Sequence, residues 1–122
     1  MVADMTNIHH AIDYVELPVS DLPAARSFYE QAFGWQFNEY GPAYAGIKNP
    51  AGDGEAGGLD GSGGTDRTAP LVLLYSDDLD GTVAAVREAG GEVRVEPYAF
   101  PGGRRFHFAD PSGNVLGVWS EA

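Results

Sequence analysis

Cysteine is absent from this sequence, which excludes disulfides, thiolate zinc sites, iron–sulfur clusters and cysteine nucleophiles together. Basic residues are scarce: 7 Lys and Arg stand against 18 Asp and Glu, a formal net charge of −11. No Lys/Arg-rich run offsets that charge locally, so a phosphate backbone or an anionic bilayer would be repelled. Neither nucleic acid nor membrane is therefore an expected partner. Long hydrophobic runs are missing too. The densest, Leu71-Val72-Leu73-Leu74-Tyr75, is far too short to span a bilayer. The opening MVADMTNIHH has neither the basic nor the apolar segment of a secretory leader, and a cytoplasmic location is expected.

What is present points to one globular domain. A chain of 122 residues with 43% hydrophobic and 20% charged residues can bury a single core. Glycine is abundant, 17 residues, so tight turns must be frequent. The chain also repeats itself. Val19-Ser20-Asp21-Leu22 opens a helical stretch ending at Gly34, and Ser76-Asp77-Asp78-Leu79 opens another ending at Gly90-Gly91. In the first, Ser20 or Asp21 can cap the helix, Pro23 suits its first turn and Gly34 its left-handed end. Leu22, Ala25, Phe28, Tyr29, Ala32 and Phe33 form its apolar stripe; Leu79, Val83, Val86 and Ala89 form the second.

Each helix follows a strand-like segment, residues 13–19 and 71–75. Short strands come after each: 35–40, 44–48 and a doubtful 55–59 in the first half, then 92–96, 104–109 and 115–120 in the second. The pattern predicts an α+β fold of two βαβββ modules, about 8–66 and 67–121. One helix per module cannot cover both faces of such a sheet, so the other face must meet the second half or wall a cavity.

The run Tyr14-Val15-Glu16-Leu17-Pro18-Val19-Ser20-Asp21-Leu22, with Phe28-Tyr29 and Phe33-Gly34-Trp35, resembles the first module of the vicinal oxygen chelate superfamily. Asp78-Leu79, Ala89-Gly90-Gly91 and Phe108-Ala109-Asp110-Pro111-Ser112-Gly113-Asn114 extend the likeness through the second half. That group includes glyoxalase, bleomycin-resistance and extradiol dioxygenase proteins. The resemblance implies paired modules whose mixed sheet curls around a cavity, helices on the outer face, a small organic ligand and a homodimer.

Catalytic members of the superfamily hold a divalent metal on inward-facing strand positions. The resemblance maps those positions onto Tyr14, Leu71 and Gly117, with the last near Glu55 at an unfixed register. Leu71 and Gly117 carry no side-chain donor, and a neutral Tyr14 is a poor one. No cofactor is therefore expected; the alternative is a divalent metal at a displaced site built from Glu16, His107 and Glu55.

Period-two alternation then sorts the side chains. With Tyr14 facing the cavity, so do Ile12, Glu16 and Pro18; Arg105, His107 and Ala109 follow on the seventh strand, and Val115, Gly117 and Trp119 on the last. Glu16 and His107 are the candidate acid/base pair, and Tyr14, Tyr75, Arg105 and Trp119 the candidate ligand contacts. A bland reading competes, in which Glu16 is held by Arg104 or Arg105 as a structural ion pair.

Other motifs carry less. Adjacent His9 and His10 on a strand would face opposite ways, one solvated and one buried, rather than share a metal. The glycine-rich residues 52–64 lack the ending of a phosphate loop. Ser76-x-Asp78-x-Asp80-Gly81 resembles a calcium loop, but Arg87 stands where its bidentate Glu belongs. Asp53, Glu55, Asp60 and Asp66 read as a solvated loop over the cavity mouth. Three functions remain open: a metal-free small-molecule binder, a glyoxalase-like lyase, isomerase or dioxygenase with a displaced metal, and an assembly or accessory domain.

Overall fold

Asp21 is extended (φ −141°) and its carboxylate accepts the Ala24 N–H at 3.0 Å, which starts α1 (Leu22–Phe33). Pro23 occupies the first turn, and Gly34 closes the helix in the left-handed region (φ 71°), its N–H donating to the Glu30 carbonyl at 2.9 Å. Asp78 repeats the device for α2 (Leu79–Glu88), accepting the Gly81 N–H at 3.1 Å. The sequence repeat is thus a repeat of helix-capping chemistry.

The computed structural model describes residues 7–62 and 69–122. Asp66, and the end of the glycine-rich stretch from Gly63, lie outside the described residues. The chain divides into two compact units, one of Tyr14–Pro70 and one of Leu71–Ala122 with the described residues before Tyr14.

The first unit contains β1 (Ile12–Pro18, from Tyr14 onward), α1, β2 (Phe37–Glu39), β3 (Tyr44–Lys48) and β4 (Glu55–Asp60). Its strands lie in the order β2-β3-β4-β1, antiparallel except for the parallel β1–β4 pair. Leu22 of α1 packs with Phe37, Ala45, Ile47 and Leu59, and Leu17, Val19, Tyr29 and Trp35 close the edges of that core.

The second unit contains β5 (Leu71–Tyr75), α2, β6 (Glu92–Phe100), β7 (Gly103–Ala109) and β8 (Val115–Ser120), in the sheet order β5-β8-β7-β6. Again one pair is parallel, β5–β8, and the rest antiparallel. Leu79 and Val83 of α2 pack on Phe106 and Val118, with Phe108 and Leu74 at the margin. Burying side chains of this size contributes roughly 1.5–3 kcal/mol each. Both units are βαβββ, an α+β fold.

Two strands depart from expectation. β2 is shorter than residues 35–40. β6 runs on to Phe100 through Pro97, because it pairs only with β7 and its irregular register leaves the missing proline N–H without consequence.

Candidate functional site

In the first unit, the sheet face turned away from the α1 core carries a linked set of polar side chains. The Tyr14 and Tyr44 hydroxyls lie 2.6 Å apart, and the Tyr44 hydroxyl donates to Glu16 Oε2 at 3.0 Å. Glu16 is 4% exposed, one of the few buried charged residues among those described. Beside them, Glu55 Oε2 accepts from Asn38 Nδ2 at 2.9 Å and from the Tyr40 hydroxyl at 2.5 Å.

Glycine makes room for both groups. Gly46 and Gly58 are cross-strand partners, and Gly58 also faces Glu16 in the β1 register. A Cβ at Gly58 would collide with the Tyr44 and Tyr14 hydroxyls, and one at Gly46 with the Glu55 carboxylate. The phenols and the carboxylate therefore lie directly on bare backbone.

The unfixed register of Glu55 is settled by a β-bulge. Ile47 pairs with Gly57 and Lys48 with Glu55, so Ala56 is the extra residue. Strict alternation would turn Glu55 to the side opposite Gly58. The bulge returns it to the face of Gly46 and Gly58, within reach of Tyr40.

Burial keeps these phenols protonated. Desolvation pushes the Tyr14 hydroxyl well above the ordinary tyrosine range, the hydrogen-bonded contact with Tyr44 works against it, and the Glu55 and Glu16 charges add to the rise. Desolvation raises Tyr44 further, reinforced by the Glu16 charge. Tyr40 also rises, chiefly through its hydrogen bond to Glu55.

In the second unit, Arg105 and His107 are both buried, at 9% and 7% exposure. Arg105 Nε and Nη2 lie 3.2 and 3.1 Å from His107 Nε2, and its guanidinium stands 5.9 Å from the Tyr98 ring centre and 5.7 Å from that of Phe100. A guanidinium only donates, so Nε2 is an acceptor and the neutral imidazole carries its hydrogen on Nδ1. The Tyr98 hydroxyl is 3.3 Å from the same nitrogen.

Trp119 stands edge-on to Tyr75 with ring centres 5.0 Å apart, and its indole N–H donates to Asp13 at 2.9 Å. The Tyr75 hydroxyl donates to Glu121 at 3.3 Å. Desolvation first, and the Glu121 charge second, raise the Tyr75 hydroxyl. A Cβ at Gly117 would stand 3.3 Å from the His107 ring and 3.5 Å from a Leu71 methyl, so residues 71, 107 and 117 share one face. Phe106 and Val118 lie on the α2 face, as alternation predicts.

Tyr14 and Glu16 are thus joined through Tyr44, a residue that sequence pattern does not single out. Its signal was present: Tyr44 and Gly46 alternate on one strand opposite the Gly57-Gly58 pair. The Arg104 guanidinium meets both Asp80 carboxylate oxygens at 3.3 Å. The histidines also correct the expectation for them. His9 and His10 are both exposed and their rings stack 3.7 Å apart, because His10 sits in a turn with φ 63° instead of on a strand.

A separate hollow in the first unit lies elsewhere. A groove of about 1040 Å³ runs past the end of α1 and the β3–β4 turn, lined by Phe33, Trp35, Leu17, Ile47, Lys48 and Asp53 among others. Apolar side chains and turn backbone make up most of its lining.

Among the described residues no three His, Asp or Glu side chains stand together where they could hold a metal ion. The positions implied for the superfamily's metal tell the same story by their chemistry. Leu71 and Gly117 bring no donor atom, the Tyr14 hydroxyl is engaged by Tyr44, and Glu55 is engaged by Tyr40 and Asn38. The residues present do not fit that ion's usual ligand set.

A family model described as the glyoxalase/bleomycin resistance protein/dioxygenase superfamily matches residues 11–118. An anthracycline biosynthesis protein, DnrV, of Streptomyces peucetius is 34% identical over 124 aligned positions, covering 95% of this chain and 43% of that protein. The chain therefore spans less than half the length of this relative. A Mn(II)-bound glyoxalase from Novosphingobium aromaticivorans superposes with a TM-score of 0.67 at 26% identity, over 94% of this chain and 40% of that one. Streptomyces coelicolor methylmalonyl-CoA epimerase, at 16% identity and a TM-score of 0.66 over 94% of this chain and 99% of that one, shares the fold.

Proposed function

Because the chain belongs to the glyoxalase/bleomycin resistance protein/dioxygenase superfamily, we propose that it binds a small organic molecule without that superfamily's usual divalent metal. The observation carrying this reading is the Tyr14–Tyr44–Glu16 chain seated on Gly58, with Tyr14 at a position to which the resemblance assigns a metal ligand. Ligand sites use a small number of fixed polar groups to orient what they bind, and the linked Tyr14, Tyr44 and Glu16 can serve in that way.

In this reading Tyr14 and Glu16 orient the ligand in the first unit. His107 and Arg105 supply polar contacts in the second, where Tyr75 and Trp119 form aromatic wall. Glu16 and His107 are the groups able to move a proton, and any turnover rests on them. A homodimer in the cytoplasm completes the reading. The name of the Streptomyces relative places anthracycline-like molecules among the ligands worth screening.

Thermal-shift screening of small metabolites and planar polyketides against the protein, with Glu16→Gln and His107→Ala alongside, tests it. A stabilising ligand whose effect both substitutions abolish is the expected result. No stabilising ligand, or one indifferent to both, refutes it.

A second reading, a metal-dependent lyase, isomerase or dioxygenase, is favoured by the likeness to the Mn(II)-bound glyoxalase. Elemental analysis of protein purified without chelators separates the two. Stoichiometric Mn, Ni, Zn or Fe establishes the metal enzyme in place of the first reading.

A further inference from the structure

The hydrogen-bond chain on the first unit's polar face has a direction. The Tyr44 hydroxyl donates to Glu16 Oε2, and that bond uses its single hydrogen. Tyr44 then has none to give Tyr14, and in the 2.6 Å contact between them Tyr14 must be the donor. Tyr40 spends its hydrogen on Glu55 in the same way. All three phenolic hydrogens on this face are consumed inside the protein, and what the phenols still offer is oxygen lone pairs. Burial holds Tyr14 and Tyr44 neutral, so neither becomes a charged base.

From this directed chain seated on Gly46 and Gly58, we infer that the first unit's polar face selects a ligand by a hydrogen-bond donor, a hydroxyl or amine N–H delivered to the Tyr14 oxygen. Carbonyl and carboxylate groups are rejected there. They would meet lone pairs where they need hydrogens, and a carboxylate would also meet Glu16 and Glu55. An unpaired acceptor facing an acceptor costs affinity of the order that lets polar sites discriminate strongly between near-isosteric ligands. The inference rests on the small-molecule-binding reading above and adds the ligand class to it.

The chain also says how to reverse the preference. Tyr44→Phe removes the acceptor to which Tyr14 donates and frees the Tyr14 hydrogen. The face then gains a donor, and acceptor ligands become welcome. Tyr14→Phe removes the selecting atom and leaves the Tyr44–Glu16 bond in place.

Three matched probes test this on the full chain: 2-naphthol as donor, 2-acetylnaphthalene as neutral acceptor and 2-naphthoate as anionic acceptor. Binding is read from amide shifts of Tyr14, Gly46 and Gly58, which separate this face from the Arg105 region of the second unit. The expected order at these amides is naphthol, then acetylnaphthalene, then naphthoate, with about tenfold between the first two, the size of one hydrogen bond. Tyr44→Phe should shrink or invert that ratio, and Tyr14→Phe should erase it; the latter stands alone if the former does not fold. Equal binding of the three probes, a preference for naphthoate, or a ratio untouched by Tyr14→Phe overturns the inference and leaves the binding reading standing. No shift with any probe at these amides overturns the inference, and no shift anywhere in the chain overturns both.

Discussion

Raising the pH should unfold this protein through two particular side chains. The ordinary tyrosine hydroxyl ionises near pH 10, and in the folded chain Tyr14 and Tyr44 are held well above that, first by desolvation and then by neighbouring carboxylate charge. Above pH 10 the unfolded chain releases those protons while the folded one keeps them, so the unfolded state binds fewer protons and stability falls as pH rises. Their contribution is fully present below pH 10. Each withheld proton costs about 1.4 kcal/mol per pH unit, so the pair costs about 2.7 kcal/mol per unit once the unfolded phenols are ionised. Between pH 10 and 11.5 that amounts to roughly 3–4 kcal/mol, a large part of the ~5–15 kcal/mol typical of a domain.

Urea unfolding at half-unit steps from pH 8 to 11.5, for the protein and for the Tyr14→Phe/Tyr44→Phe double variant, isolates the term. Tyr40 and Tyr75 also rise, but they remain in both proteins and cancel in the difference. The double variant should start less stable at pH 8, having lost a hydrogen bond to a buried carboxylate worth about 1.5–3 kcal/mol, and should then lose stability more slowly. The two curves should converge above pH 10. Parallel curves, or absorbance at 295 nm showing both phenols ionising near pH 10 in the folded protein, would refute the reasoning.

Adjacent glycines should behave differently. A Cβ at Gly58 meets the movable ends of two tyrosines, so Gly58→Ala should fold and bring the Tyr14 and Tyr44 titrations back toward pH 10; a Cβ at Gly57 meets the Val15 carbonyl, and Gly57→Ala should cost about 3 kcal/mol or more in urea unfolding. Nitrogen-15 NMR at pH 8 should find His107 with its hydrogen on Nδ1, and Arg105→Ala should release that tautomer; a hydrogen on Nε2 in the native protein contradicts the Arg105 contact. Replacing either Asp21 or Asp78 with Ala should cost about 1 kcal/mol in thermal or urea melts, and a neutral result at either position contradicts its capping role.

Much of the fold was legible because its signals are local. Asp21, Pro23 and Gly34 announce the limits of α1 through the shapes they permit, and the segment 71–75 is apolar throughout because both its faces are covered. β6 was underestimated because Pro97 reads as a stop, which it is not at a strand paired on one side only. His9 and His10 were misplaced because the positive φ at His10 leaves no trace in a residue that can take either shape.

For the site, alternation was enough to put Tyr14 with Glu16 and His107 with Arg105, since side chains two apart on a strand share a face whatever lies across from them. It could not supply Tyr44, which meets Glu16 from 28 positions away, nor turn Glu55 onto the same face, which a single inserted residue in β4 achieves. Spacing along one chain segment belongs to the sequence. Which segment lies opposite, in what register, and which hydroxyl must therefore give up its hydrogen are decided only when the strands pair, because hydrogen-bond direction depends on partners that the chain brings together from far apart.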